Sequence, residues 1–191
     1  MIRASNWARE KGIPFLGICL GMQVAIIEFA RSVCKLPDAH SEECKTDASD
    51  GVIIFMPEGS KTIKGATMRL GLRVTNFVPG TEGTKIRKLY RGVASVHERH
   101  RHRYEVNPSY VQMFEDAGMQ FVGRDDAGVR MEICELKNHP YFVGTQYHPE
   151  YLSRVLYPSP PFIGLIAASA GILDAQLQRA LTNGIVKGDV A

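Results

Sequence analysis

Between residues 13 and 33 the apolar pattern of this chain changes period. The stretch "IPFLGI", residues 13–18, is continuously apolar, and from Leu20 onward Met22, Ala25, Ile26, Phe29, Ala30 and Val33 recur at helical spacing. A short continuous apolar run reads as a buried parallel strand, and the 3.6-residue recurrence reads as a helix. No loop separates the two, since Gly17-Ile18-Cys19-Leu20-Gly21 spans the junction. A strand that turns directly into a helix must be covered by it, which commits the chain to α/β layering. Val24 and Ile27 lie off the helical stripe, so this helix is expected to be covered on more than one side.

The flanking segments extend the pattern. Residues 1–11 read as a helix ended by Gly12, and residues 37–51 are polar and turn-rich. Strands are expected at 52–56, 68–77, 120–123, 130–136 and 141–147, with an exposed loop at 57–64, a short helix or turn at 85–90 and a helix at 111–117. "YPSPP", residues 157–161, reads as a rigid linker before one last helix over 162–181, and residues 182–191 as a frayed tail. With 191 residues the chain can bury a substantial core. The expectation is one α/β domain over residues 1–191, with a mostly parallel or mixed central sheet flanked by helices.

Composition removes several functional classes. A net charge of +3 does not argue for nucleic acid. The cysteines Cys19, Cys34, Cys44 and Cys134 form no C-x-x-C pair, which disfavours a zinc ribbon or a thioredoxin-like motif. The polar, mixed-charge start "MIRASNWAREKG" is no signal peptide, and the longest apolar run is interrupted by Gln23 and Glu28 and is too short to span a membrane. A cytoplasmic chain without disulfides is the expectation.

G-x-C-x-G at a strand-to-helix junction has the layout of the nucleophile elbow that α/β-hydrolases build around serine. The glycines would let neighbouring backbone approach a residue held in a strained turn. The helix N-terminus would favour a thiolate and lower the pKa of the Cys19 thiol. The alternative is a small core cysteine in a turn. "TQYHPE", residues 145–150, supplies the partner that a nucleophile needs. Residues two apart on an extended chain point the same way, so Glu150 can orient His148 and stabilise its imidazolium. A basic run, "ERHRHRYEVN", residues 98–107, admits several readings. Alternation puts Arg99, Arg101 and Arg103 on one face and His100 and His102 on the other. The histidines could ligate a metal, although no carboxylate spacing accompanies them; the arginines could grip RNA, although only Tyr104 supplies an aromatic; or the charges could simply be solvated.

"GICLGMQ" and "QYHPE" together resemble the class I, or triad, glutamine amidotransferases, in the family's order of cysteine, histidine and glutamate, with similarity running from about Ala8 to Leu173. Within that family, "GATMRLG" (residues 65–71), "ERHRHRYEVN" and "HSEEC" (residues 40–44) resemble GGTMRLG, a basic signature and NSTEF of the CTP synthases, Ala66 replacing a glycine. The resemblance implies a class I amidotransferase fold with flavodoxin-like layering, and a triad of Cys19, His148 and Glu150. It implies a glutamine pocket formed by Leu20, Gly21, Met22 and Gln23, with Glu43 (or its neighbour Glu42) on the α-ammonium and Arg103 on the α-carboxylate. It implies glutamine hydrolysis through a thioester, with no metal or cofactor in this domain, no nucleic acid and no membrane. The ammonia would serve a synthetase domain, normally on the same chain, that uses ATP, UTP and Mg2+ to make CTP in a homo-oligomeric enzyme. No G-x-x-x-x-G-K-[ST] loop for such a reaction occurs in these residues. The family's glycine-rich oxyanion loop would lie upstream of Met1, leaving the Leu20 amide as a donor, so the chain reads as N-terminally incomplete relative to the family. A γ-glutamyl thiol hydrolase and a non-catalytic glutamine-sensing or assembly module are the alternatives.

Overall fold

The computed structural model describes residues 1–45, 49–56 and 68–182. The expected loop at 57–64, residues 65–67 of the "GATMRLG" stretch and residues 183–191 of the expected tail lie outside the described residues. The chain runs α1 (Ile2–Lys11), β1 (Phe15–Ile18), α2 (Leu20–Ser32), β2 (Ala39–Ser41), β3 (Asp50–Phe55), β4 (Arg69–Phe77), α3 (Lys85–Leu89), β5 (Ser95–His102), β6 (Tyr104–Val106), α4 (Val111–Asp116), β7 (Met119–Arg124), β8 (Met131–Leu136), β9 (Phe142–Thr145), α5 (Pro160–Ser169) and α6 (Leu173–Thr182). No helix among the described residues is long and apolar enough to cross a membrane.

Six strands pair in the order β1-β9-β8-β7-β4-β5, and β2-β3-β6 form a second, smaller sheet. The sheet is mixed, as expected, but not mostly parallel. Only β1 with β9 and β2 with β3 run parallel among the described pairs. The short turns between β7 and β8 and between β8 and β9 leave no room for a crossover helix, so those neighbours must be antiparallel; β4 and β5 are antiparallel too, although α3 lies in the connection between them.

Alternation along the central strands sends side chains into two apolar layers. Phe121, Cys134 and Phe142 join Ala8 of α1, Met22, Ile26 and Phe29 of α2 and Phe114 of α4 on one face. Val122, Ile133 and Val143 join Ile86 and Leu89 of α3 and Leu177 of α6 on the other, with Ile163 and Leu165 of α5 packed against them. Each fully buried Val, Leu, Ile, Phe or Met among them contributes about 1.5–3 kcal/mol. Glu28, almost wholly buried on α2, is held by Arg9 of α1 in a two-pronged ion pair (Nη2 to Oε1 2.8 Å, Nε to Oε2 2.9 Å), which explains a charge inside an apolar helix. The expected single helix over 162–181 is two, because Gly171 turns left-handed (φ 71°) between α5 and α6.

β5 lies at the opposite end of the strand order from β1, yet the two ends meet. The His148 N–H, just past β9, donates to the Arg99 carbonyl on β5 (2.8 Å), and Cys19 Sγ lies 3.9 Å from the Arg101 carbonyl. The sheet therefore curls into a half-barrel whose mouth opens at the C-terminal ends of β1 and β9.

Candidate active site

Parallel pairing brings the two sequence motifs together. β1 and β9 pair with Ile18 opposite Thr145, so both chains leave the sheet on one side. Cys19 follows β1 directly and its N–H donates to the Thr145 carbonyl (2.7 Å), three residues before His148. Cys19 sits at φ 51°, ψ −103°, a conformation that costs a non-glycine residue on the order of 1–3 kcal/mol. Its carbonyl accepts from the Gln23 N–H (3.1 Å), opening the first turn of α2. At Gly17 a Cβ would lie 2.7 Å from the carbonyl carbon and oxygen of Gly21, so no side chain fits there. At Gly21 a Cβ would meet nothing within 4 Å. The close approach expected of both glycines belongs to Gly17 alone.

His148 Nδ1 and Glu150 Oε1 are 2.7 Å apart, so the expected contact is made, but through a 3-10 turn at residues 149–151 rather than the extended chain expected from the spacing. His148 Nε2 is buried and has no hydrogen-bond partner. A ring held at one nitrogen and unengaged at the other is arranged to move a proton.

The thiol departs from expectation. Its pKa is raised rather than lowered. Burial is the largest cause; the Leu20 amide and the Gln146 side chain oppose it, while Glu150 and Glu43 add to it by their charge. The helix N-terminus does favour the thiolate, but desolvation and two carboxylates outweigh it.

A cavity of about 240 Å³ opens beside Sγ, with Leu20, Gln23, Glu43, Arg103 and Tyr104 among its walls. Glu43 and Arg103 thus bring opposite charges to one small cavity. Arg103 Nε is buried without a partner among the described residues. Glu42 instead accepts from the Phe55 amide at Oε2 (3.2 Å). Leu20 is half-exposed at the mouth, and Gly21 stands behind it in the first turn of α2. Met22 is fully buried against Gly144 of β9, so its side chain serves the core rather than the cavity.

Behind the cavity lies a polar layer that local spacing did not reveal. β5 alternates as expected, with Arg99 and Arg101 exposed and His100 and His102 buried. The carboxylate missing near the histidines arrives from β8: Glu132 Oε2 is 3.5 Å from His100 Nδ1, which is 3.2 Å from His102 Nε2. These are donor types that hold metals. Arg69 of β4, however, already donates to Glu132 Oε1 (3.0 Å), and His102 Nδ1 faces the Tyr104 carbonyl (3.0 Å). Burial presses His100 down to about 2 and His102 to about 4, so both are neutral beneath the cavity, and Glu132 Oε2 stays without a hydrogen bond among the described residues beside them.

Glu98, one turn of the alternation earlier, accepts from Tyr90 Oη (2.7 Å), which in turn meets Tyr147 Oη (3.0 Å). Burial lifts Glu98 to about 7, the Tyr90 bond opposing and the charge of Glu150 adding. A raised carboxyl contributes stability that is present below its unfolded value of about 4.5 and is lost as pH rises through about 7. Relative to Glu98→Gln, the parent chain should therefore lose several degrees of melting temperature between about pH 5 and pH 8. Parallel melting curves across that range check it; a constant offset would place the ionised form in the fold.

Residues missed in the sequence are Gln146, Glu132, Arg69 and the Tyr104 carbonyl. Gln146 Nε2 lies 3.6 Å from Cys19 Sγ.

The family model described as "Glutamine amidotransferase class-I" matches residues 1–168. The chain belongs to that family. Among curated relatives of this amidotransferase chain, CTP synthase of Neurospora crassa is 57% identical over 191 residues, covering all of this chain and 33% of that protein. CTP synthase 1 of Saccharomyces cerevisiae is 59% identical over 175 residues, 91% of this chain and 30% of that protein. The amidotransferase chain thus spans about a third of the length of the curated relatives it matches. Among solved structures, the Trypanosoma brucei CTPS glutaminase domain with bound acivicin shares its fold at a TM-score of 0.83, with 34% identity over 89% of this chain and 65% of that one.

Proposed function

We propose that this chain is the glutaminase part of a CTP synthase and hydrolyses L-glutamine to glutamate and ammonia. The observation that carries the reading is the cavity itself, where a thiol, a carboxylate and a guanidinium whose buried Nε has no partner among the described residues share the walls. A free amino acid with an amide side chain presents the complementary set: an ammonium for Glu43, a carboxylate for Arg103 and a carbonyl carbon for Cys19. A planar guanidinium suits a carboxylate because it can offer two parallel N–H donors.

The reaction follows from the placement. His148 Nε2 takes the Cys19 proton, and the sulfur adds to the side-chain amide carbon. The oxygen that gains charge is met by the Leu20 amide, which lies next to the sulfur at the helix start. His148 returns the proton to the departing nitrogen, ammonia leaves, and a γ-glutamyl thioester remains. Water, deprotonated by His148, then releases glutamate and restores the thiol. Glu150 holds the ring throughout. None of these steps requires a cofactor in this domain. ATP, UTP and Mg2+ belong to the synthetase reaction that would consume the ammonia elsewhere in a longer, homo-oligomeric enzyme.

Release of glutamate and ammonia in equal amounts from L-glutamine, lost in Cys19→Ser, tests the reading; a chain that releases neither would overturn it. Recognition has its own test. Arg103→Ala should raise KM for glutamine roughly ten- to a hundredfold with a much smaller change in kcat, because a charge-assisted contact to the substrate is lost. Arg99→Ala, whose side chain is exposed on β5, should change KM little. Saturation curves for the two variants decide it, and equal effects would move the carboxylate site away from Arg103.

A further inference from the structure

Gln146 lies at the end of β9, 1% exposed, and its backbone N–H donates to the Glu132 carbonyl (2.8 Å). Its side chain belongs to a chain of amides that ends on the nucleophile. Gln23 Nε2 donates to the Tyr104 carbonyl (3.0 Å) and to Gln146 Oε1 (3.2 Å). Gln146 Nε2 donates to Cys19 Sγ (3.6 Å).

The direction of this chain is dictated at its far end. A backbone carbonyl can only accept, so the Tyr104 oxygen requires the NH2 end of Gln23. That NH2 group then requires the oxygen end of Gln146. Only the NH2 end of Gln146 is left to face sulfur. Turning either amide over would set donor against donor or oxygen against oxygen in a place where water has little access, at a cost comparable to a lost hydrogen bond.

We propose that Gln146 is a further catalytic residue, whose side-chain N–H holds and stabilises the Cys19 sulfur as an anion, with its polarity set by Gln23 and the Tyr104 carbonyl. The other groups around the sulfur show why such a donor is needed. The Arg101 carbonyl, 3.9 Å from Sγ, can accept from a thiol but repels a thiolate. Glu150 and Glu43 oppose a negative sulfur by their charge. Arg101 and Arg103 line the same cavity. The Leu20 amide favours a negative sulfur, but that donor is wanted by the substrate oxygen when the sulfur attacks. The Gln146 NH2 group, which donates to the sulfur, is not drawn away by the substrate oxygen, and so stabilises the sulfur before attack and again when the thioester is cleaved.

This inference rests on the glutaminase reading, and the test separates the two. Alkylation of Cys19 by iodoacetamide, followed by peptide mass spectrometry from about pH 7 to about pH 12, reports the thiolate without glutamine. Gln146→Met removes the donor at similar size, and Gln146→Glu replaces it with an acceptor. Gln146→Met should move the midpoint of the alkylation profile up by about one to two pH units, which slows alkylation roughly ten- to a hundredfold at neutral pH. Gln146→Glu should move it further. Gln23→Met, which leaves Gln146 free to turn, should move it in the same direction by less. The limiting rate at high pH should stay that of the parent chain, and kcat for glutamine should fall more than KM changes. An unmoved midpoint in Gln146→Met overturns the proposal. So does a fall in the high-pH limit with no midpoint shift, the mark of a residue that merely shapes the elbow. A shifted midpoint in a chain that releases no ammonia upholds the role of Gln146 and counts against the glutaminase reading alone.

Discussion

Cys19→Ala should abolish covalent capture of an electrophilic glutamine analogue and lower glutamine hydrolysis by roughly 10⁴-fold or more, to what binding alone supports. In the parent chain, intact-mass and peptide analysis should find one adduct, on Cys19. The other thiols are poor competitors for physical reasons. Cys134 is fully buried and its thiol is pushed up to about 12 by burial, with no route for a reagent. The Cys34 thiol is also raised by burial. Cys44 is exposed and is the one that a non-selective reagent would find first. An adduct on Cys44 with Cys19 untouched would mean that the elbow holds an inert structural cysteine.

His148→Ala should lower hydrolysis by roughly 10²–10⁴-fold at neutral pH, because the proton must leave a thiol that its surroundings hold protonated. The raised thiol makes this effect depend on pH in a definite direction. Below its pKa the thiolate fraction grows about tenfold per pH unit, so labelling of Cys19 in His148→Ala should climb with that slope from neutral to alkaline pH. Glu150→Gln keeps a partner at His148 Nδ1 and should fall between the parent and His148→Ala. Labelling rates measured across pH for the three chains settle the order. A flat profile in His148→Ala would show that another group deprotonates the sulfur.

The parts of the site legible in the sequence were those written in neighbouring residues. The change of period at residues 13–33 located both β1 and α2, and the alternation in "HERHRHR" separated Arg99 and Arg101 from His100 and His102, though not which of the two faces is buried. The spacing of His148 and Glu150 matched the contact between them. Gln146 shares the parity of those two residues and stands in the same quoted motif, so the signal was present; an uncharged amide beside a histidine and a glutamate gives little reason to single it out. Glu132 and Arg69 carried no local signal, because they reach the histidines only after the sheet curls. The direction of the thiol's shift was misjudged for a similar reason. A helix N-terminus can be read from the chain, whereas the depth of burial and the approach of Glu43 and Glu150 cannot. The break at Gly171 was marked by the glycine itself but overridden by apolar residues that continued on both sides.

The parallel pairing of β1 with β9 also sets a chronology. Pairs such as β4 with β5 and β7 with β8 join segments close in sequence and close small loops, whereas β1 meets β9 only after the chain between residues 18 and 142 has been gathered in. Closing a longer loop costs more chain entropy, and contacts of that span form late. Until they form, Cys19 lacks the Thr145 carbonyl that pins its backbone, and the strand that leads to His148 is not yet paired with its own. The elbow is thus completed by a long-range pairing, and a molecule in which β1 and β9 have come apart lacks the contact that holds Cys19 in place.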